Sequence, residues 1–211
     1  GTGTAQAVFV DASTNGGADS FIYTMTINNV SKQITFTKTV TLPAPRLIST
    51  EDSTNRSHDI RARAVDFDSD GRLDIVVISY KANYIRGLTD SEYKSEIQFI
   101  RNTGNGTFVD VTDSVRVGYD TTGYPGYYPE FRDFNGDGKL DLFLSQPDYF
   151  SSKVHKSTTL LIQQTNGTYS DTGKVDFASA VGAGGQGMLV KGPAGKTYLV
   201  TESAWARTSF T

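Results

Sequence analysis

Cysteine is absent from the 211 residues, so there is no disulfide framework, no thiolate metal site and no thiol nucleophile. Histidine is almost absent: His58 and His155 stand at unrelated places and read as exposed or capping residues rather than catalytic ones. No run of about 18 apolar residues occurs, which excludes a transmembrane helix. No useful stretch has the helical apolar period, so helix content is expected to be slight. The net charge of −3 is too small for a broad basic face that would hold nucleic acid, and there is no acidic tail. Also missing are a His-Glu-x-x-His helix, a Gly-x-Ser-x-Gly elbow and a phosphate-cradling loop. The Gly-rich piece Gly182-Ala183-Gly184-Gly185-Gln186-Gly187 neither follows a strong strand nor opens a helix, and reads as a flexible connection. Among the 23 acids the sequence singles out no pair for glycoside cleavage. The chain is expected not to be an enzyme. With 37% hydrophobic and 20% charged residues it has a globular composition, and its length suits one good core, or a core plus a small appendage.

What is present is a duplicated acidic stretch. Asp66-Phe67-Asp68-Ser69-Asp70-Gly71-Arg72-Leu73-Asp74 recurs 67 residues later as Asp133-Phe134-Asn135-Gly136-Asp137-Gly138-Lys139-Leu140-Asp141. Four carboxylates in nine residues repel one another in an empty loop, and a hard cation removes that repulsion. Oxygen donors at positions 1, 3 and 5 suit Ca²⁺. Glycine at position 6 permits the sharp turn that lets the position-7 carbonyl and the position-9 carboxylate also face inward. Two calcium sites are therefore expected, one at Asp66, Asp68, Asp70, Arg72 and Asp74, the other at Asp133, Asn135, Asp137, Lys139 and Asp141. The first should be the tighter, because Asp68 is ionised where Asn135 is neutral.

An EF-hand would need a bidentate Glu at position 12, where this chain has Val77 and Leu144. Dockerin-type loops fail in the same way. Each loop runs instead into a buried-strand pattern, Ile75-Val76-Val77-Ile78 and Leu142-Phe143-Leu144. Before the loops stand Ala62-Arg63-Ala64-Val65 and Pro129-Glu130-Phe131-Arg132. After them come a second strand and an Asn-Gly turn, in Ile97 to Phe108 and in Leu160 to Tyr169. This arrangement resembles the FG-GAP/VCBS repeat of integrin-like β-propellers, and two such units cover residues 57–173. The resemblance implies an all-β fold: a partial or incomplete propeller with two full blades and a degenerate third. Met188-Leu189-Val190-Lys191 and Lys196-Thr197-Tyr198-Leu199-Val200 read as the third unit's hairpin, with no carboxylate loop and hence no metal.

Residues 1–45 are expected to form an N-terminal antiparallel β appendage, with residues 46–211 as the propeller segment. Phe21, Tyr23, Met25 and Ile27 alternate with Ile22, Thr24, Thr26 and Asn28, a turn opens at Asn28-Asn29, and Ile34, Phe36, Val40 and Leu42 follow among threonines. Such strands fit an immunoglobulin-like module or the outer strands of a preceding blade. The stiff Pro43-Ala44-Pro45 favours the former. A propeller closes with about four to eight blades, so the chain is expected to be completed by further segments or by copies of itself, and its Gly1-Thr2-Gly3 start suggests a processed or trimmed chain.

The resemblance implies adhesion or ligand recognition by a secreted or cell-surface protein, with a protein or carbohydrate ligand and no membrane insertion. The alternatives are an architectural subunit of a filament or surface layer that assembles by edge-strand pairing, and a non-catalytic accessory segment of a secreted polysaccharide-degrading enzyme. Tyr84, Tyr93, Tyr124 and Tyr149, in or beside polar insertions and a Gly/Pro-containing connection, are the candidate ligand-binding residues, since Tyr offers amphipathic contact area at modest entropy cost. Of the four Asn-x-Ser/Thr sequons (Asn29, Asn55, Asn105, Asn166), two are the repeated hairpin turn, which turn chemistry explains without glycosylation.

Overall fold

The computed structural model describes residues 3–9, 20–44, 46–47, 56–82, 94–119, 128–145, 159–174, 187–191 and 197–201. The regular structure is nearly all β, in several antiparallel sheets, as the alternating patterns require. The helix among the described residues, α1 (Thr112–Val115), is a single turn. Two compact units emerge, 1–87 with 96–112, and 88–95 with 113–211.

In the first unit β1 (Gly3–Phe9), β2 (Phe21–Ile27) and β3 (Ile34–Thr41) form a three-stranded antiparallel sheet in chain order. The β2–β3 turn is organised by Asn28, whose Oδ1 accepts the N–H groups of Val30 (2.9 Å) and Ser31 (3.0 Å). Asn favours turns for this ability to bond its own backbone a few residues on. The first blade follows as a meander of β4 (Arg56–Val65), β5 (Asp74–Ala82), β6 (Lys94–Gly104) and β7 (Thr107–Asp110). Its last hairpin turns on Asn105 and Gly106, at φ 54° and 76°. Two successive positive φ values define the type I′ turn that suits the twist of paired strands, and Asn-Gly is the pair that tolerates it.

Strand β5 is buried on both faces, which explains its unbroken run Ile75-Val76-Val77-Ile78. One face puts Ile75 and Val77 into a core with Ile100 of β6 and with Ile22 and Leu42 from the N-terminal sheet, edged by Val40, Ala62 and Phe108. Burial of each of these side chains contributes about 1.5–3 kcal/mol. The three-stranded sheet therefore shares its core with the first blade. The connection between them is also held: Gln98 Nε2 donates to Ala44 O and to Asp110 Oδ2, both at 3.0 Å, and Arg46 pairs with Asp110 at 3.0 Å. The other face of the blade buries Phe67, Val76, Ile78, Ile97 and Phe99, with Phe67 edge-on to Phe99 at 5.3 Å.

The second unit repeats the meander with β9 (Tyr128–Arg132), β10 (Asp141–Ser145), β11 (Thr159–Gln163) and β12 (Tyr169–Lys174). A short strand, β8 (Arg116–Val117), adds to β12 in parallel and gives the order β8-β12-β11-β10-β9. Leu142, Phe143, Leu144, Leu161 and Tyr169 form its buried set. Tyr169 meets Phe131 edge-on at 6.5 Å, and its hydroxyl donates to Leu140 O at 2.7 Å, tying β12 to the acidic loop. The hairpin of the expected third unit is present as β13 (Gly187–Lys191) and β14 (Thr197–Thr201), paired from Gly187↔Thr201 to Lys191↔Thr197.

Candidate metal centre

Each acidic stretch is the loop between the first two strands of a blade. In the first blade it leaves β4 at Val65 and enters β5 at Asp74, which are register partners; in the second, Arg132 and Asp141 play these parts. The loop is built on the carboxylate at position 1. Asp66 Oδ1 accepts the Asp70 N–H at 3.0 Å, and Oδ2 accepts the Gly71 N–H at 2.9 Å. Asp133 does the same with Asp137 (3.1 Å) and Gly138 (2.9 Å). In the first loop one acceptor direction remains on each Asp66 oxygen after these bonds, whereas Asp133 Oδ1 also accepts the Gly136 N–H at 2.6 Å. The glycine at position 6 is needed, because Gly71 and Gly138 both sit at φ 86°, a region costly for any residue with a Cβ.

The carboxylate at position 9 ties the loop to the rest of its blade. Asp74 is fully buried; Oδ2 accepts the Phe67 N–H at 3.2 Å, and Oδ1 accepts the Asn102 N–H of β6 at 2.8 Å. Asp141 is also fully buried and reproduces the pattern, with the Phe134 and Gln163 N–H groups both at 2.9 Å. Burial pushes the Asp74 carboxyl up to about 6, and the nearby charges of Asp68 and Asp70 push the same way, against the opposing pull of the Asn102 and Phe67 N–H groups.

Positions 5 and 7 form a local pair in both loops. Arg72 N–H and Lys139 N–H each donate to the position-5 carboxylate at 2.9 Å. The basic side chains return to the same group: Arg72 pairs with Asp70, and Lys139 Nζ lies 2.9 Å from Asp137 Oδ2. The Lys139 ammonium and N–H hold the exposed Asp137 carboxyl below its ordinary value.

Of the residues expected from sequence, Asp66, Asp68 and Asp74 are brought together: one oxygen from each lies within 4.8 Å of the others. The chemistry of this donor set fits a hard divalent cation. Its donors are all oxygen, two of the residues are half-buried and the third fully so, and the buried member carries a charge its surroundings disfavour. Asp70 and Asp137 face the basic residue two positions on. Asn135 Oδ1 accepts the Asp137 N–H at 2.9 Å, as Asp68 Oδ1 accepts that of Asp70 at 3.3 Å. Tyr84, Tyr93, Tyr124 and Tyr149 lie outside the described residues, as does His155.

Two features were not anticipated. Position 4 is left-handed in both loops, Ser69 at φ 60° and Gly136 at φ 83°; the glycine in the second copy was the available signal. Arg101 of β6 places Nε 2.7 Å from Asp68 Oδ2, and no local motif marks it.

Four-stranded antiparallel blades, each with an acidic loop joining its first two strands, define a repeat protein of propeller-like, incomplete form. Residues 66–144 match the model of the FG-GAP-like repeat. The match opens on the first loop's Asp66 and closes on Leu144, in the strand that follows the second loop. No curated protein and no solved structure matches the chain.

Proposed function

We propose that this chain is a calcium-stabilised, non-catalytic binding module of a secreted or cell-surface protein, adhesive in character. The observation that carries the reading is the convergence of Asp66, Asp68 and Asp74 in a loop whose position-1 and position-9 carboxylates accept the same N–H groups as their counterparts in the second blade. FG-GAP-like repeats point to extracellular recognition in general, and no described helix is long and apolar enough to cross a membrane.

In the first loop Asp66, Asp68 and Asp74 would hold the ion, with Asp70 and the Arg72 carbonyl beside them; in the second, Asp133, Asn135, Asp137, Lys139 and Asp141 stand at the same positions. A bound Ca²⁺ supplies charge neutralisation. The chain supplies the frame: the position-9 carboxylate joins loop to β6 or β11, so an ion held there locks three strands of a blade together. Extracellular calcium modules work at roughly 10⁻⁴–10⁻³ M, a range that leaves such a site empty in cytosol. The ligand is proposed to be a protein or a carbohydrate.

Calcium titrated into stripped protein tests this reading. The melting temperature should rise, by the equivalent of about 2.7 kcal/mol at a hundred times the dissociation constant, and no rise at millimolar calcium overturns it. A glycan array probed with the calcium-loaded chain then separates carbohydrate recognition from a protein ligand.

A further inference from the structure

The two loops are near copies in backbone and hydrogen bonding, so their differences in charge are informative. Asp74 Oδ1 accepts the N–H of Asn102, and Asp141 Oδ1 accepts that of Gln163. Asn102 and Gln163 are therefore equivalent, and so are the residues before them, Arg101 and Ile162. At position 3 the first loop has Asp68 and the second Asn135. The extra carboxylate and the extra guanidinium thus occur in the same blade and are both missing from the other. They also touch: Arg101 Nε lies 2.7 Å from Asp68 Oδ2. That nitrogen is enclosed and has no properly directed hydrogen bond among the described residues, so the contact is one of charge against charge.

Counting side chains at the loops, the first has four carboxylates against Arg72 and Arg101, and the second has three against Lys139. Each is left with two negative charges, the complement of one divalent cation. A surface ion pair that merely joined β6 to a loop would have no reason to end on one of the three converging carboxylates. Here it ends on Asp68, which belongs to the cluster with Asp66 and Asp74.

We propose that Arg101 is a built-in counter-cation of the first loop, a positioning residue that occupies Asp68 and competes with calcium for it, making the first site the weaker of the two. This rests on the calcium reading above. It reverses the order expected from loop charge alone, because that count omits a cation on another strand.

The test resolves the sites within the full chain. Gly71 and Gly138 each donate their N–H to the position-1 carboxylate of their own loop, so their amide resonances in ¹⁵N-glycine-labelled, calcium-stripped protein report the two sites separately. In the wild type, Gly138 should respond at lower calcium than Gly71. Arg101→Met removes the charge and keeps the length; it should lower the Gly71 midpoint about tenfold at low salt, the effect of removing a unit charge about 6 Å from a divalent ion at water-like screening. The Gly138 midpoint should not move. Arg101→Lys should restore wild-type behaviour, and the difference should shrink at high salt. Asp68→Asn, which strands the guanidinium, should raise the Gly71 midpoint, and this holds as a check if Arg101→Met folds poorly. The proposal is overturned if Gly71 titrates unchanged or later in Arg101→Met while Gly138 titrates normally, or if Asp68→Asn tightens the site. If neither glycine responds in the wild type at millimolar calcium, the calcium reading is itself refuted and this proposal falls with it.

Discussion

Asp74 should make stability depend on pH in opposite directions with and without calcium. Its carboxyl is fully buried and lies at about 6 in the folded chain, against 3.8 when unperturbed, chiefly because burial disfavours the charged form. In metal-free protein the folded state therefore holds its proton more tightly than the unfolded state. The resulting stabilisation is complete below pH 3.8 and is lost as the pH rises through about 6. A shift of just over two units amounts to about 3 kcal/mol in full, of which about 1.3 kcal/mol is lost between pH 5 and 7. Calcium requires the carboxylate, so in millimolar calcium the same interval should show constant or rising stability. Urea unfolding followed by circular dichroism at pH 5, 6 and 7, on stripped and calcium-loaded samples, reads both slopes. Subtracting the Asp74→Asn variant under identical conditions removes the share of every other group. A stripped protein whose stability is flat or rises from pH 5 to 7, with the same slope in Asp74→Asn, would refute the argument.

The remaining predictions concern the frame around that carboxylate. Gly71→Ala should destabilise by about 1–2 kcal/mol, because the left-handed backbone there opposes a Cβ even though no atom lies within 4 Å of it; Ser69→Gly, which gives the first loop the residue of the second, should stabilise by up to about 1 kcal/mol. Both are measured by urea unfolding of stripped protein. Thr112→Val should cost about 0.5–1.5 kcal/mol, since the fully buried Thr112 Oγ1 accepts the Phe99 N–H at 2.9 Å and the variant removes that bond. Ile100→Ala should cost about 2–5 kcal/mol by opening a cavity among Ile22, Leu42, Ile75 and Val77, and should speed hydrogen exchange in β2 as well as in β5 if the two sheets share one core.

Much of the fold and the loops was legible because their chemistry is contiguous. The donors, the position-6 glycine and the following apolar strand all fall within a few residues, so one short window carries the turn, the charge and the element it feeds. The Asn-Gly turns and the alternation in residues 21–42 were legible for the same reason. What was hidden depends on distance along the chain or on backbone angles. Alternation says that Ile22 and Leu42 face inward; it does not say that the surface they meet is Ile75, Val77 and Ile100, which only tertiary packing reveals. A left-handed Ser69 leaves no mark in its own residue type, and its one trace is Gly136 in the copy.

Arg101 shows why counting charges within a motif misleads. Electrostatic energy depends on separation in space, and strand pairing brings β6 against β5, so a residue far along the chain comes to lie within 2.7 Å of Asp68. A duplicated blade offers a way around this: once Asp74 and Asp141 are matched through the N–H groups they accept, the residues facing each loop can be compared position by position. The comparison shows Asp68 and Arg101 present together in one blade, with Asn135 and Ile162 together in the other. A loop selected for tight cation binding would keep Asp68 and drop Arg101. Keeping both leaves the net charge of the two loops equal, which is the arrangement expected if each blade must remain folded when the ion departs.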